Sequence, residues 1–445
     1  MADAHATEAE PSIFAPLAHR DFAVLWGGFV ASHIGDSVQL HAQAWLVTEL
    51  TRSGLKVGTV ALCQAIPRLL LGLFAGVFVD RFDRRRLLIV TQTLAMLQSV
   101  TFAALVLTHH ITYGAILVLA ALLGIFDTLN LNARVAMMPT LVPRNLIGKA
   151  VALQALGVNV VQIAGPAMTA ILIGTVGVSG CILVNAATFV VLLIALAWLK
   201  ARPNPANGAK PGMRDELWEG FSFVRARPLL WGSIALAYLL GFFGVSIARL
   251  LALYARVVLD TDGRGYGFLA ASTGVGAILA SIFVTARARP VNLPRNIVLS
   301  AAGFSIAVGL IGRATHYATA LLAVGALGAG QMAFRSAVTT SIQLETPDRL
   351  RGRVVSLLTL DFSLWSLGAV LTGAMSDRLA SYHATGHFAA SADTHLAPHA
   401  LAWGLSVTLA VTSLLCLAST AALARTILRA KLSPAPDLRD DRGGT

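Results

Sequence analysis

Long apolar runs separated by short polar stretches are the main pattern of this chain. Most runs have about 20 residues or more, the length that an α-helix needs to cross a hydrocarbon layer about 30 Å thick. Six runs precede a polar stretch at 200–228, and six follow it. The runs lie near residues 22–48, 57–79, 87–108, 113–135, 149–174, 178–199, 229–254, 265–286, 296–313, 316–340, 354–376 and 398–424. The pattern therefore predicts twelve membrane-spanning helices.

The polar stretch predicts a division into two helical bundles. Residues 22–199 form the first six-helix bundle and residues 229–424 the second, with a cytoplasmic loop at 200–228 between them. The remaining residues, 1–21 and 425–445, are predicted to be cytoplasmic tails.

A short repeated motif indicates that the two bundles are related. The loop after the fourth run, Pro143–Lys149, and the loop after the tenth, Pro347–Arg353, share one order: proline, two residues, leucine, one residue, glycine and a cation. Internal duplication of this kind is typical of transporters. We therefore expect an all-α polytopic membrane protein built from two pseudo-symmetric six-helix halves.

The composition agrees with a membrane protein and excludes other classes. Of the 445 residues, 56% are hydrophobic and 13% are charged, and the mean hydropathy is +0.72. A soluble protein carries about 25% charged residues, so this chain has too few to cover a water-facing surface. The 3 cysteines lie far apart within apolar runs, which excludes a disulfide framework.

The formal net charge of +12 is explained by membrane topology. With both termini in the cytoplasm, 26 of the 34 Lys and Arg residues fall in cytoplasmic segments and 6 on the opposite side. Cytoplasmic loops of membrane proteins carry such an excess. We therefore expect a protein of the cell inner (plasma) membrane, and no nucleic-acid partner because no basic stretch is interleaved with aromatic residues.

The loop after the second run carries a charged motif. It reads Gly76-Val-Phe-Val-Asp80-Arg81-Phe-Asp83-Arg84-Arg85-Arg86. This resembles the signature loop of the major facilitator superfamily, Gly-x-x-x-Asp-Arg/Lys-x-Gly-Arg/Lys-Arg/Lys, with Asp83 in place of the internal glycine. The resemblance implies a gating motif at the cytoplasmic face, in which Asp80 stabilises the outward-open state. The residues of this motif are Gly76, Asp80, Arg81, Arg84 and Arg85.

Further matches extend from the first run to the eleventh. They include His19-Arg20-Asp21-Phe22 before the first run, Met138-Pro139 after the fourth and Gln343-Leu-Glu345 after the tenth. Together they resemble the superfamily branch of the enterobactin exporter and related secretion-type permeases. The resemblance implies secondary active export of small molecules, driven by ion exchange. Gly165-Pro166 in the fifth run is similar to a Gly-Pro motif of superfamily antiporters, and it predicts a helix bend.

Ionisable residues inside the apolar runs are the candidate site residues. A charge at the centre of a bilayer costs about 2.5–3.5 kcal/mol on insertion scales, so such a residue needs a partner or a watery cavity. The set consists of Asp36, His41, Arg68, Asp127, Arg249 and Asp361.

Helical spacing groups the polar residues of the first run. At about 100° per residue, His33, Asp36 and Gln43 lie on one helix face. Asp36 lies near mid-depth and is the predicted proton-coupling carboxylate. Arg68, at a similar depth in the second run, is its expected countercharge.

The fourth run carries a second polar face. Asp127, Asn130 and Arg134 follow the helical spacing i, i+3, i+7, so we expect Arg134 to neutralise Asp127 in part. In the superfamily fold, spans 1, 4, 7 and 10 surround a central cavity. The resemblance therefore implies that Asp36, Asp127 and Arg249 face such a cavity.

The predicted function is proton-coupled efflux of a small organic molecule, such as a drug-like compound, a siderophore or another metabolite. We expect the protein to work as a monomer in the lipid bilayer. Import or metabolite exchange is an alternative, and a non-transporting sensor or assembly partner is another. The intramembrane charges and the loop motif argue against the sensor.

Catalysis is not expected, because no nucleophile, metal-ligand or phosphate-loop pattern occurs outside the apolar runs. The sequence therefore predicts no enzyme, no cofactor and no metal site. The loop before the last run is rich in histidine, and we expect it to be solvated. Its histidines are His383, His387, His395 and His399.

Overall fold

The computed structural model describes residues 12–81, 83–199, 213–287, 292–359, 361–387 and 396–430. Within these ranges the chain is helical and has no β-strand. The first half contains α1 Arg20–Thr51, α2 Gly54–Arg81, α3 Arg84–Leu107, α4 Tyr113–Met137 and α5 Ile147–Ala197. The second half contains α6 Met213–Arg225, α7 Pro228–Leu240, α8 Ile247–Val257, α9 Gly263–Arg287, α10 Leu293–Arg313, α11 Tyr317–Glu345, α12 Asp348–Thr359, α13 Asp361–Thr385 and α14 Pro398–Arg429.

Nine helical segments among the described residues are long and apolar enough to cross a membrane. This agrees with the predicted polytopic, all-helical class. The count differs from the twelve predicted spans for two reasons. α1 and α13 contain no stretch that is both long and apolar enough, and residues 144–197 count as one segment instead of two. Gly177, with φ 70° and ψ −175°, interrupts the helical backbone of α5 between the fifth and sixth apolar runs. A glycine tolerates this positive φ without the steric cost of a side chain.

The eleventh predicted run, 354–376, is covered by α12 and α13. Residues 348–359 and 361–385 are helical on either side of residue 360, which lies outside the described residues, so Asp361 is the first described residue of α13.

A short helix lies within the polar stretch that was predicted to be a loop. α6 packs against α12, where Glu219 binds Arg349 at 2.6 Å and also pairs with Arg353. A carboxylate shared by two arginines fixes the position of α6 by charge-assisted hydrogen bonds.

Pairs of long helices form each half and join the two halves. α1 packs on α5 and α2 on α4 in the first half, whereas α9 packs on α11 and α10 on α14 in the second. Across the halves, α2 packs on α13 and α5 on α9. We call the face that carries the start of α1 and the end of α14 the terminal face, and the opposite face the distal face.

A buried polar cluster fixes the orientation of α1. The Oε1 atom of Gln39 accepts hydrogen bonds from Ser99 Oγ at 2.7 Å and from Asn185 Nδ2 at 2.9 Å. The three side chains come from α1, α3 and α5 and are almost fully buried. Buried polar groups are stable only when hydrogen-bonded, so this cluster ties the three helices in one register.

At the distal face, Asp377 of α13 holds the start of α2. Its carboxylate accepts hydrogen bonds from Ser53 Oγ at 2.6 Å and from the backbone N–H groups of Gly54 at 2.9 Å and Leu55 at 3.0 Å. The first N–H groups of a helix have no partner within the helix. Asp377 therefore caps α2 from the opposite half of the protein.

Glycines allow α2 and α13 to approach closely near this cap. A Cβ atom on Gly58 would lie 2.5 Å from the carbonyl oxygen of Ala369, and one on Gly54 would lie 2.9 Å from the Cα atom of Gly373. Small residues at such positions let helix backbones meet in a membrane protein.

Two further polar contacts join the halves at the distal face. Arg264 donates a hydrogen bond to the carbonyl of Gly174 at 2.6 Å, and Arg256 pairs with Glu49 at 2.8 Å. Together with the cap on α2, they hold the two halves together at this end of the molecule.

Candidate functional site

A polar cavity of about 420 Å³ lies between the two halves. Its wall is formed by α1, α2, α4 and α5 on one side and by α8 and α13 on the other. The volume is within the range of about 300–1,000 Å³ that is usual for small-molecule sites. Eight of the candidate site residues line it, namely His33, Asp36, Gln43, Arg68, Asp127, Asn130, Arg134 and Arg249.

Arg68 pairs with Asp127 across the cavity. The Nη2 atom of Arg68 lies 3.7 Å from Oδ2 of Asp127. This differs from the expectation that Arg68 is the countercharge of Asp36. Asp36 in α1 and Asp127 in α4 both line the cavity. The depth of Arg68 in α2 therefore does not determine which of the two aspartates it contacts.

Arg134, His33 and Asp36 form a second connected group. Arg134 Nη1 lies 2.6 Å from His33 Nε2, and His33 Nδ1 lies 3.8 Å from Asp36 Oδ2. An arginine can only donate hydrogen bonds, so His33 accepts at Nε2 and is the neutral imidazole with its proton on Nδ1. Arg134 thus contacts His33 directly, and it also acts electrostatically on Asp127, the residue that it was expected to neutralise in part.

The two aspartates therefore have different surroundings. Asp127 forms an ion pair with the permanently charged Arg68, whereas the side chain that contacts Asp36 is the neutral His33, and Arg68 and Arg134 act on Asp36 without forming an ion pair with it. The Oδ1 atom of Asp36 also lacks a hydrogen-bond partner among the described residues. With 29% of its side chain exposed, Asp36 is accessible from the cavity.

Arg249 is the cationic residue that the second half contributes to the cavity. Its guanidinium forms neither an ion pair nor a hydrogen bond within the described ranges of the chain. A cation in a membrane protein normally pairs with a carboxylate or faces a watery cavity. Arg249 faces the polar cavity.

Asp361 does not line the polar cavity. It is buried in the second half, with 3% of its side chain exposed, and accepts a hydrogen bond from Arg335 Nη1 at 2.9 Å. Arg335 also lies over the ring of Trp365, which reaches both this pair and the polar cavity. From the sequence, Arg335 was predicted to belong to a cytoplasmic segment, and it was therefore not a candidate site residue.

An apolar pocket of about 200 Å³ adjoins the cavity in the first half. Trp26 and Phe29 contribute aromatic rings to it, and His33 and Arg134 line both spaces. The guanidinium of Arg134 lies over the ring of Phe29, 5.2 Å from its centroid. Trp26 and Phe29 were not among the candidates, since single aromatic residues in an apolar run are ordinary core residues.

The structure describes the side chains of Arg84 and Arg85 in the predicted gating motif. Arg84 is buried, and Arg85 donates hydrogen bonds to the carbonyls of Leu196 and Ala197, both at 2.9 Å. These are unpaired carbonyls at the end of α5, so Arg85 fastens the motif to that helix. Asp83 accepts a hydrogen bond from the N–H of Arg86 at 2.8 Å and caps α3. For Gly76, Asp80 and Arg81 the structure describes only the helical backbone at the end of α2.

The Gly165-Pro166 pair lies inside α5. Gly165 allows a close approach to α1, because a Cβ atom there would overlap the side chain of Ser37. The backbone keeps helical dihedral angles through both residues, and the reported interruption of α5 is at Gly177. The bend at this pair stays a prediction.

Potential metal ligands do not cluster in the described ranges, where no group of three or more is found. In the histidine-rich segment, His383 stacks on Trp403 with ring centroids 4.7 Å apart. His395 lies outside the described residues.

Comparison with known proteins places the chain among membrane transporters. Multidrug efflux pump Tap of Mycolicibacterium fortuitum is 24% identical over 380 residues, which cover 82% of this chain and 90% of that protein. Enterobactin exporter EntS of Escherichia coli is 28% identical over 321 residues, covering 70% of this chain and 75% of that protein. Staphyloferrin A transporter of Staphylococcus aureus is 24% identical over 340 residues, covering 75% and 84%.

Solved structures show the same fold. A bacterial homolog of the human lysosomal transporter Spinster, in an inward-facing and unoccupied conformation, has a TM-score of 0.74 at 18% identity and covers 95% of this chain and 100% of that chain. Nucleoside transporter NupG has a TM-score of 0.69 at 10% identity, covering 93% and 100%. The sequence profile of the transmembrane secretion effectors, MFS_3, matches residues 11–434. The resemblance noted in the sequence is thereby confirmed, and the chain belongs to the transmembrane secretion effector family of the major facilitator superfamily.

Proposed function

We propose that this chain exports a small organic molecule across the cell inner membrane by secondary active transport, in exchange for protons. The observation that carries the proposal is the polar cavity between the two halves, which is lined by ionisable residues of membrane helices. Such residues mark substrate and ion pathways in transporters. Relatives named as a multidrug efflux pump and an enterobactin exporter support the direction of transport. The proposal assigns transport and no catalysis.

The proposed architecture has twelve spans in two six-helix halves, 22–199 and 229–424, with both termini and the 200–228 segment in the cytoplasm. The interruption of α5 at Gly177 supports two spans within that helix. The excess of Lys and Arg in the segments assigned to the cytoplasm supports the orientation. The terminal face is then cytoplasmic, and the protein works as a monomer.

In this orientation, the contacts at the distal face close the extracellular side. The cap of Asp377 on α2 and the pairing of Arg256 with Glu49 both belong to this closure. The proposed state is therefore inward-facing. Alternating access would require these contacts to break while contacts form at the cytoplasmic face, where Asp80 and the rest of its motif are proposed to act.

Asp36 is the proposed proton carrier. A coupling carboxylate must gain and lose a proton as the cavity changes its access, and a fixed cation beside it would hold it ionised. Asp127 has such a cation in Arg68, whereas Asp36 faces neutral His33. Gln43 and Asn130 are proposed to offer hydrogen bonds to the cargo, and Asp361 to stabilise the second half through Arg335.

Transport in everted membrane vesicles tests the proposal. An imposed proton gradient, acidic inside, should drive accumulation of a cargo found by screening compound classes, and a protonophore should abolish it. Vesicles that lack the protein are the control. Accumulation driven by another ion, or only downhill movement of every compound, would contradict proton-coupled export.

A further inference from the structure

The unpaired arginine in the cavity indicates the charge of the cargo. The lining of the cavity has three arginines against two aspartates, and His33 is neutral because it accepts a hydrogen bond from Arg134. Even with both aspartates ionised, this lining has a net positive charge. A cleft lined by an excess of one charge attracts ligands of the opposite sign.

Among the described residues, Arg249 has no anion that neutralises it. The electrostatic partners of Asp36 and Asp127 include Arg68 and Arg134, and Arg249 is not among them. The groups that interact with Arg249 are Arg68, a second cation, Tyr266, an uncharged phenol, and His41. The repulsion between two guanidinium groups inside a membrane protein would be relieved by a bound anion.

The two arginines belong to opposite halves. Arg68 is in α2 of the first half, and Arg249 is in α8 of the second. An anion held by both would connect the halves across the cavity. A guanidinium suits this role because its planar N–H groups bind carboxylate or phosphate oxygens in pairs.

We propose that Arg249, together with Arg68, is the binding site for the anionic group of the cargo, which is an amphipathic organic anion. Its apolar part occupies the pocket beside Trp26 and Phe29, which joins the cavity at His33 and Arg134. This proposal rests on the proposed export function and specifies the class of substrate. It excludes organic cations as the preferred cargo.

Two fluorescent xanthene dyes of similar shape and opposite charge test the proposal. Carboxyfluorescein is the anionic probe and rhodamine 123 the cationic probe, and binding to the purified full-length protein is measured by fluorescence anisotropy without a gradient. The wild-type protein should bind carboxyfluorescein more tightly. Arg249→Gln should weaken its binding by about tenfold or more, because hydrogen bonds to charged partners are the strong ones.

The same substitution should strengthen binding of rhodamine 123, since it removes a cation from the cavity. A misfolded variant would lose affinity for both dyes, so the opposite change identifies a charge effect. Arg249→Lys should retain part of the affinity for carboxyfluorescein. Arg313→Gln, at an exposed position at the end of α10, is the control and should change neither affinity.

Preference of the wild-type protein for rhodamine 123 would overturn the proposal, as would an equal change in both affinities on Arg249→Gln. The proposal would also be overturned if the wild-type protein did not bind carboxyfluorescein. These binding outcomes test the anion site alone and do not decide whether the protein exports its cargo. Rhodamine 123 accumulated in everted vesicles under a proton gradient would support export while contradicting the anion site.

Discussion

The two aspartates of the cavity are chemically alike, and their neighbours distinguish them. Asp127 lies 3.7 Å from Arg68, and Asp36 lies 3.8 Å from the neutral imidazole of His33. The free energy of an ionised carboxylate in a low-dielectric site depends on the compensating charge. Arg68 and Arg134 also act on Asp36, but neither forms an ion pair with it. A proton taken up by Asp36 therefore breaks no ion pair, whereas one taken up by Asp127 leaves Arg68 without its partner.

We therefore predict that Asp36→Asn abolishes uphill transport. Asparagine has nearly the same volume but cannot exchange a proton, so the variant should still bind cargo and equilibrate it downhill. Asp127→Asn should be milder, because it leaves the proton-carrying group in place. Accumulation in everted vesicles under an imposed proton gradient, with downhill exchange in the same vesicles, checks both variants.

Ser37→Ala, at a neighbouring position of the cavity wall, is a matched control for the loss of a polar group in α1. If Asp36→Asn still accumulates cargo against its gradient, Asp36 is not the coupling residue. Asp127 would then be the first candidate to test.

Which residues share one helix face could be predicted from the sequence, but their partners on other helices could not. The spacing of His33, Asp36 and Gln43 placed them together, and all three line the cavity. The pairing of Arg68 depends on how α2 packs against α1 and α4, which a one-dimensional spacing does not contain. Arg335 was missed for a different reason, because its position near the end of the tenth apolar run assigned it to a cytoplasmic segment.

At the scale of elements, α2 has an acidic group near each end. Asp377 of α13 caps its first turn at the distal face, and Asp80 lies near its last residue, Arg81. In the proposed cycle, contacts at the two ends of α2 form in opposite states. Substitutions at the two aspartates should therefore shift the conformational equilibrium in opposite directions.

Asp377→Asn should favour the outward-open state. The substitution removes the charge that accepts three hydrogen bonds from Ser53, Gly54 and Leu55, and one such bond is worth about 1.5–3 kcal/mol, which is at least about tenfold in an equilibrium. A cysteine introduced by Leu40→Cys in the cavity wall reports the change. Its labelling by an impermeant maleimide from outside the cell should become about tenfold faster.

Asp260→Asn is the control for this measurement, because the Asp260 side chain is 91% exposed and a surface ion pair contributes little. Unchanged labelling on Asp377→Asn would show that the cap does not hold the distal face closed.

Asp80→Asn should have the opposite effect. If the Asp80 carboxylate stabilises the outward-open state by meeting the second half at the cytoplasmic face, its removal leaves the protein inward-facing. Transport should fall while expression and folding are retained, and labelling of the Leu40→Cys site from outside should become slower. Normal transport and labelling in this variant would show that the motif has no gating role and only orients the chain in the membrane.

Most helices could be predicted from the apolar runs, and the differences have local causes. Helix α5 contains no polar break between its two runs, so Gly177 alone interrupts its backbone. α6 was missed because it lies in a polar stretch and is too short to give a long apolar run, although it buries Val224 in the core and forms charge pairs through Glu219. A search for long apolar runs detects neither a glycine interruption nor a short amphipathic helix.

At the scale of the whole molecule, the distal contacts and the charge distribution together define the proposed state. The cap on α2 and the Arg256–Glu49 pair join the halves at the distal face. Whether the closed end is extracellular depends only on which face of the membrane carries the chain termini.

We predict that the terminal face is cytoplasmic, because 24 of the 34 Lys and Arg residues lie in segments assigned to that side when Arg134 and Arg335, which line cavities, are left out. Single cysteines introduced by Trp218→Cys, in α6, and Thr108→Cys, after α3, report the two faces, and both side chains are exposed. They are placed in a background without Cys63, Cys181 and Cys416. In intact cells an impermeant maleimide should label only the Thr108→Cys site, and permeabilised cells should show labelling at both. Labelling of the Trp218→Cys site in intact cells would show that the chain has the opposite orientation. The closed distal face would then be cytoplasmic, and the proposed state would be outward-facing.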